Sequence, residues 1–200
     1  MQFNEIQLDA LREIGNIGAG NAATALSELI QTKVDITVPE VRVIETTKIP
    51  DMVGGPEREV VACLFGLSGG LEGAAMYVFP LEEAKYLSDR MLQQPEGTTT
   101  EMGEMEQSVI GEVGNILTGS YMTAMQGFTG IASNLSPPAV TVSQAMVIFS
   151  EASVIASTFA DWTIWVETDF IVEEGHLKAY LFLLASPEAM EQVLTSLGVG

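Results

Sequence analysis

The chain has 200 residues, 47% of them hydrophobic, enough for one sizeable core or for a duplicated pair of half-domains. Its 27 acidic against 8 basic residues give a formal net charge of −19, so it offers no basic patch to nucleic acid phosphates or anionic lipid heads. A cationic or mixed-charge protein partner fits that balance, and so does a plain solubility or salt adaptation.

In chain order, the hydrophobic periodicity predicts a helix over about 4–31, then extended segments VDITVPEVRVIET, EVVACLFGLSG and LEGAAMYVFP, then a helix LEEAKYLSDRML opened by Pro80. QPEGTTTE, residues 94–101, reads as a linker between halves spanning about 1–95 and 100–200. The second half predicts a helix over about 103–126, a Pro-containing extended stretch and an added helix near 144–157. Strands WTIWVETDFIV and LKAYLFLLA and a terminal helix from about 187 complete it. Residues 113–150 carry no charged side chain, yet their Gly, Ser, Thr, Asn and Gln and the pair Pro137-Pro138 mark buried interior of a soluble fold, not a membrane span.

One cysteine, Cys63, leaves no internal disulfide, and the single histidine, His176, sits between VEEG and LKAYLFLLA as a turn residue at a strand start. One residue of each type is too little for a Ser/His/Asp or Cys/His nucleophile system or a zinc site of the usual ligands, and no Walker-type GxxxxGK(S/T) occurs. The N-terminus lacks a basic segment followed by an apolar one, so a cytoplasmic protein is expected.

The chain repeats itself. Shifting by 99 positions lays DALREIGNIGAGNAATAL (9–26) over SVIGEVGNILTGSYMTAM (108–125) with seven of 18 pairs identical, and the register carries Pro39 onto Pro138 without a gap. Two such α/β halves most simply pair into one continuous sheet with helices packed over it. On the paired helices one walk gives Phe3, Ile6, Ala10, Ile14 and Ile17, matched by Met102, Met105, Val109, Val113 and Ile116, all apolar and expected to face the core. A second gives Glu5, Asp9, Glu13, Asn16, Gly20 and Thr24, matched by Glu104, Ser108, Glu112, Asn115, Gly119 and Thr123, polar or minimal in both copies.

The glycine-rich REIGNIGAGNAATAL (12–26) could be a phosphate-cradling loop, but the 3.6-residue pattern runs through its glycines without a break. It therefore reads as a helix in which Gly15 and Gly18 serve close internal packing while Gly20, on the polar stripe, clears room for another molecule. Each interior glycine costs about 0.5–1 kcal/mol against alanine, so a duplicated choice of them needs a reason. A solvated face is one reading of the polar stripe. The other is that Glu and Asn, one turn apart, project together to act. An Asn amide can accept from water and donate to an anionic oxygen, so it can hold a water in line with a phosphoryl group whose metal is assembled elsewhere.

At these residues the chain resembles the CheC family of chemotaxis phosphatases, within the wider CheC, CheX and FliY group. The family motif, Asp or Ser, three residues, Glu, two residues, Asn, twenty-two residues, Pro, occurs as Asp9, Glu13, Asn16, Pro39 and as Ser108, Glu112, Asn115, Pro138. The resemblance covers essentially the whole chain and implies one α+β CheC-like domain over 1–200, pseudo-two-fold and internally duplicated. Its continuous, mainly antiparallel sheet carries two long helices that bear the active sites on one face.

The resemblance further implies hydrolysis of CheY-P, the aspartyl-phosphate response regulator, in which Asn16 and Asn115 orient the water and Glu13 and Glu112 pair with the regulator's active-site lysine. Asp9 and Ser108 would help place the helices, with Gly20 and Gly119 beside them, and Pro39 and Pro138 would shape the neighbouring strands. No metal or cofactor is expected on this chain, since Mg²⁺ belongs to the regulator. CheD, a receptor-modifying deamidase, is a further expected partner, for which the candidate segment is SQAMVIFSEASVIAS (143–157). There Met146 or Phe149 is either an exposed contact or core. The alternatives are a non-enzymatic switch component, since FliM-like middle domains resemble the fold without the Glu/Asn pair, and a protein that acts chiefly on CheD.

Overall fold

A computed structural model describes residues 3–156 and 161–198, with side chains described except at 151–156. The two long helices form as the periodicity requires: α1 (Glu5–Ile30) and α4 (Glu104–Thr129). Asn4 opens α1 with a capping box: its side-chain Oδ1 accepts from the Gln7 backbone N–H at 2.9 Å, and its backbone N–H donates to the Gln7 side-chain Oε1 at 2.8 Å. Gly130, at φ 73°, closes α4 in the left-handed conformation that glycine tolerates, its N–H donating to the Gln126 carbonyl at 2.8 Å.

Strands β1 (Val34–Glu45), β2 (Glu59–Gly69), β3 (Gly73–Pro80), β4 (Ser133–Leu135), β5 (Ala139–Gln144), β6 (Trp162–Val172) and β7 (Gly175–Ala185) make one seven-stranded sheet. Its order is β1-β6-β7-β3-β2, with β4 and β5 both on the outer side of β2, and all the pairings are antiparallel. The two hairpins β2–β3 and β6–β7 meet at β3 and β7. Each half lends its motif strand to the other half's hairpin: β1 pairs with β6, and β5 with β2. A sheet interlocked this way cannot be completed by either half separately.

Helices cover both faces, so the central strand β3 is buried along its whole length instead of alternating. Beneath α1 and α4 lies the larger core, where Val61, Cys63, Phe65, Tyr77, Phe79, Leu181 and Leu183 meet Leu11, Ile14, Ile110 and Val113. The helices α3 (Leu81–Met91) and α6 (Pro187–Ser196) add Leu87 and Val193 to it. On the opposite face a smaller core gathers Val60, Ala62, Met76, Trp165 and Phe182 under α2 (Ile49–Met52) and α5 (Ala145–Ala156). The segment expected as a helix added to the second half therefore has a short counterpart in the first, a 3₁₀ turn at Thr46–Lys48 running into α2. Pro50 within a stretch this brief hid that turn from periodicity. Among the described residues no helix is long and apolar enough to cross a membrane.

The linker expected at 94–101 is tied down. Asp89, buried in α3, accepts the backbone N–H groups of Gly97 at 2.8 Å, Thr98 at 3.1 Å and Thr99 at 2.8 Å. Burial raises its carboxyl pKa, but the hydrogen bonds from Thr99, Gly97 and Thr98 outweigh that and hold it below the usual carboxylate value.

Candidate functional site

The packed face of α1 is not the stripe that hydropathy marks. Leu11, Ile14, Gly15, Gly18, Ala19, Ala22 and Leu26 are buried, whereas of the expected stripe only Ile14 is; Phe3 and Ala10 are half-buried, and Ile6 (68%) and Ile17 (37%) are exposed. Along the matching stripe of the second half Val113 is buried, Met102, Val109 and Ile116 are half-buried, and Met105 is 63% exposed. The contact line of α1 runs through glycine and alanine, which are too small to register as an apolar stripe yet allow close approach. A Cβ on Gly18 would stand 2.9 Å from the Tyr121 Cα, and one on Gly15 would stand 3.2 Å from Val38 Cγ1. These two glycines serve internal packing, as expected.

The polar stripe lies outward. Asp9, Glu13, Asn16, Ser108, Glu112, Asn115 and Gly20 are exposed, and Gly119 is half-buried with the nearest outside atom to a would-be Cβ being Leu135 Cδ1 at 4.0 Å. Nothing stands within 4 Å of a Cβ placed on Gly20. Thr24 and Thr123 turn their hydroxyls back onto the Gly20 and Gly119 carbonyls at 3.1 and 2.8 Å, so they finish the helix backbone instead of facing solvent as donors. Glu13 and Glu112 have no hydrogen-bond or ion-pair partner among the described residues, which leaves both carboxylates open to a cation from outside. Asp9 instead holds Arg12 at 2.8 Å, an i,i+3 pair that its spacing announces and that has no equivalent at Gly111.

Each asparagine stands one turn from its glutamate, but their surroundings differ. Asn16 hydrogen-bonds β1: the Val38 N–H donates to Oδ1 at 2.9 Å, while Nδ2 donates to the Val38 carbonyl at 3.3 Å and to the Arg12 carbonyl at 3.1 Å. Asn115 has no partner among the described residues. Pro39 lies where the β1–β6 register slips between Thr37 and Glu40, and Pro138 lies where the outer strand breaks between β4 and β5. Both prolines shape edge strands, where a missing N–H is tolerated.

Of the remaining candidates, His176 is exposed at the start of β7, opposite Ile171. Cys63 is buried against Gly114, its thiol pKa pushed up to about 12 by desolvation, so it is no nucleophile at neutral pH. On α5, Met146 is exposed while Phe149 is core, packed edge-on against Phe182 at 5.6 Å; residue 157 of the 143–157 segment lies outside the described residues.

Two stretches, residues 6–43 and 105–142, match the CheC-like family model, and they contain both motifs. The CheY-P phosphatase CheC of Bacillus subtilis is 32% identical over 201 residues, spanning 98% of this chain and 96% of that relative. FliY of Thermotoga maritima shares the fold with a TM-score of 0.82 at 26% identity, covering 99% of this chain and 98% of that one. The FliM middle domain from H. pylori shares the fold at a TM-score of 0.71 with 15% identity over 97% of this chain and 99% of that one. With paired motifs, an interlocked antiparallel sheet and this extent of likeness, the chain belongs to the CheC-like family.

Proposed function

We propose that this protein hydrolyses the aspartyl phosphate of the CheY response regulator. The observation that carries the reading is the pair of exposed Glu/Asn sets at identical spacing on two helices, Glu13 with Asn16 and Glu112 with Asn115. An exposed helix is convex, so it suits insertion into a groove on a protein, not enclosure of a small molecule. The glutamate would pair with the regulator's active-site lysine. The asparagine amide would donate to a phosphoryl oxygen and accept from a water, placing that water's oxygen in line with phosphorus. The P–O bond to the aspartate then breaks, the carboxylate leaves, and inorganic phosphate departs with the proton released by water. Mg²⁺ is supplied by the regulator; this chain contributes position, which alone can be worth several orders of magnitude.

Exposed Ile6, Ile17 and Met105 flank these polar sets and give the docked regulator apolar surface to cover. The net charge of −19 favours a partner with a basic rim. The test is accelerated CheY-P decay by Asn16→Ala/Asn115→Ala: the expected result is a return to the regulator's intrinsic rate with an unchanged unfolding midpoint. Retained acceleration would assign the asparagines another role.

CheD binding is a second part of the reading. Met146 and Val147 are exposed apolar side chains on α5, opposite the sheet from α1 and α4, so a partner there leaves both Glu/Asn sets free. Met146→Asp should abolish CheD binding with basal phosphatase activity intact. An Asn16→Ala/Asn115→Ala protein that has lost phosphatase activity yet keeps its full effect on CheD would instead favour a chiefly CheD-directed role.

A further inference from the structure

The two asparagines are held differently, and the difference is written into the strand beside each helix. An amide side chain has two N–H donors and one carbonyl. In Asn16 both donor contacts, to the Val38 and Arg12 carbonyls, are made within the protein, and Oδ1 takes the Val38 N–H. Val38 is free to do this because the β1–β6 ladder skips from Thr37 to Glu40, so its N–H and carbonyl are not spent on β6. At the equivalent place in the second half, 99 residues on, stands Pro137, which has no N–H to give. Its carbonyl accepts from the Ser136 hydroxyl at 2.9 Å. The same interaction cannot form there, and Asn115 has no partner among the described residues.

We propose that the two sites are unequal: Asn115 is ready to hold water and phosphate on contact, whereas Asn16 is latched to Val38 and must be released first. Val38 and Pro137 are thus positioning residues that divide the work between the halves without touching the regulator. This inference rests on the asparagines' role in CheY-P hydrolysis. Release gives up hydrogen bonds and strips the buried Val38 backbone of its partner, a handicap on the order of tenfold in rate.

The swap of the two strand residues tests it, each on a background with one live site. In Asn115→Ala, adding Val38→Pro should raise phosphate release from saturating CheY-P about tenfold, with affinity for a regulator carrying a phosphoryl mimic unchanged. In Asn16→Ala, adding Pro137→Val should lower release by a similar factor, again without loss of affinity. The second substitution removes a proline from an exposed break in an edge strand, so it decides the matter even if Val38→Pro impairs folding, as a lowered unfolding midpoint would reveal. Without either swap, Asn115→Ala should cost about tenfold more activity than Asn16→Ala. Equal losses in the single variants, or a Pro137→Val protein as fast as its parent, overturn the latch while leaving the phosphatase reading intact. Acceleration that survives in Asn16→Ala/Asn115→Ala instead overturns both.

Discussion

The halves of this protein have kept their helices alike and let their edges diverge. α1 and α4 have the same length and the same Glu/Asn spacing. Beside them, β1 runs twelve residues with a single slip, whereas its counterpart is broken at Ser136-Pro137-Pro138 into a three-residue and a six-residue strand. Similarly, a four-residue α2 faces a twelve-residue α5. An edge strand is hydrogen-bonded on one side only, so a proline or a break costs little there. A helix wedged on a two-sided sheet has no such latitude. Divergence at the edge therefore changes how an asparagine is held while leaving where it stands nearly untouched.

The seam between the halves offers the largest break. Asp89 of the first half's α3 gathers the N–H groups of Gly97, Thr98 and Thr99 as the chain crosses to the second half. Asp89→Ala should cost roughly 1.5–3 kcal/mol, the range for hydrogen bonds to a charged group, read as a lower urea midpoint. The pH dependence has a definite sign. Because the folded carboxyl titrates below its ordinary value, its contribution is complete above the unfolded pKa of about 4 and fades as pH falls through the lower folded value. The gap between wild type and Asp89→Ala should accordingly narrow below about pH 4. A gap that is constant into acid would mean the carboxylate charge contributes nothing.

The glycines under the two helices sharpen the contrast. A Cβ on Gly18 would lie 2.9 Å from the Tyr121 Cα and 3.1 Å from the Ser120 carbonyl oxygen, so backbone meets backbone and α1 must move off α4. Gly18→Ala should destabilise by roughly 1–3 kcal/mol despite alanine's helix preference. On Gly114 the nearest atoms are Cys63 Cβ at 3.0 Å and Sγ at 3.1 Å, a side chain that can be trimmed. Gly114→Ala should cost less, about 1 kcal/mol, and Cys63→Ala should recover part of it; the coupling of the double variant in a thermodynamic cycle measures this. Additive losses would place the strain elsewhere.

What the sequence makes legible follows the same division. The Glu/Asn stripe stands out because exposed helix residues need only keep a 3.6-residue period, and nothing in the fold competes with it. The duplication, the strands and the helices α3, α4 and α6 are similarly plain. The packed stripe of α1 is not, since Gly15, Gly18, Ala19 and Ala22 bury by closeness and not by hydropathy, which is why Ile6 and Ile17 look like core and are surface. The Asn16 latch is beyond periodicity altogether. It depends on a register slip that frees Val38, and only the pairing of β1 with a strand more than 120 residues away reveals that slip.

Gly20 carries the smallest expected change in stability and the most specific one in function. In the free protein a Cβ there meets nothing within 4 Å, and an exposed helix interior gains up to about 1 kcal/mol when glycine becomes alanine. Gly20→Ala should therefore raise the unfolding midpoint slightly. If the glycine instead clears space for the regulator's backbone, that more stable protein should bind the regulator less well at the first site, read as a higher CheY-P concentration for half-maximal phosphate release in an Asn115→Ala background, where Asn16 is the one motif asparagine left. Gly119→Ala, read in an Asn16→Ala background, is the matched probe, with Leu135 at 4.0 Å as an ordinary contact. Stability up and affinity down at both positions would show that the glycines serve the partner and not the fold. Stability up with affinity unchanged would show that the regulator stops short of this turn, docking on the helix from Asp9 to Asn16 alone.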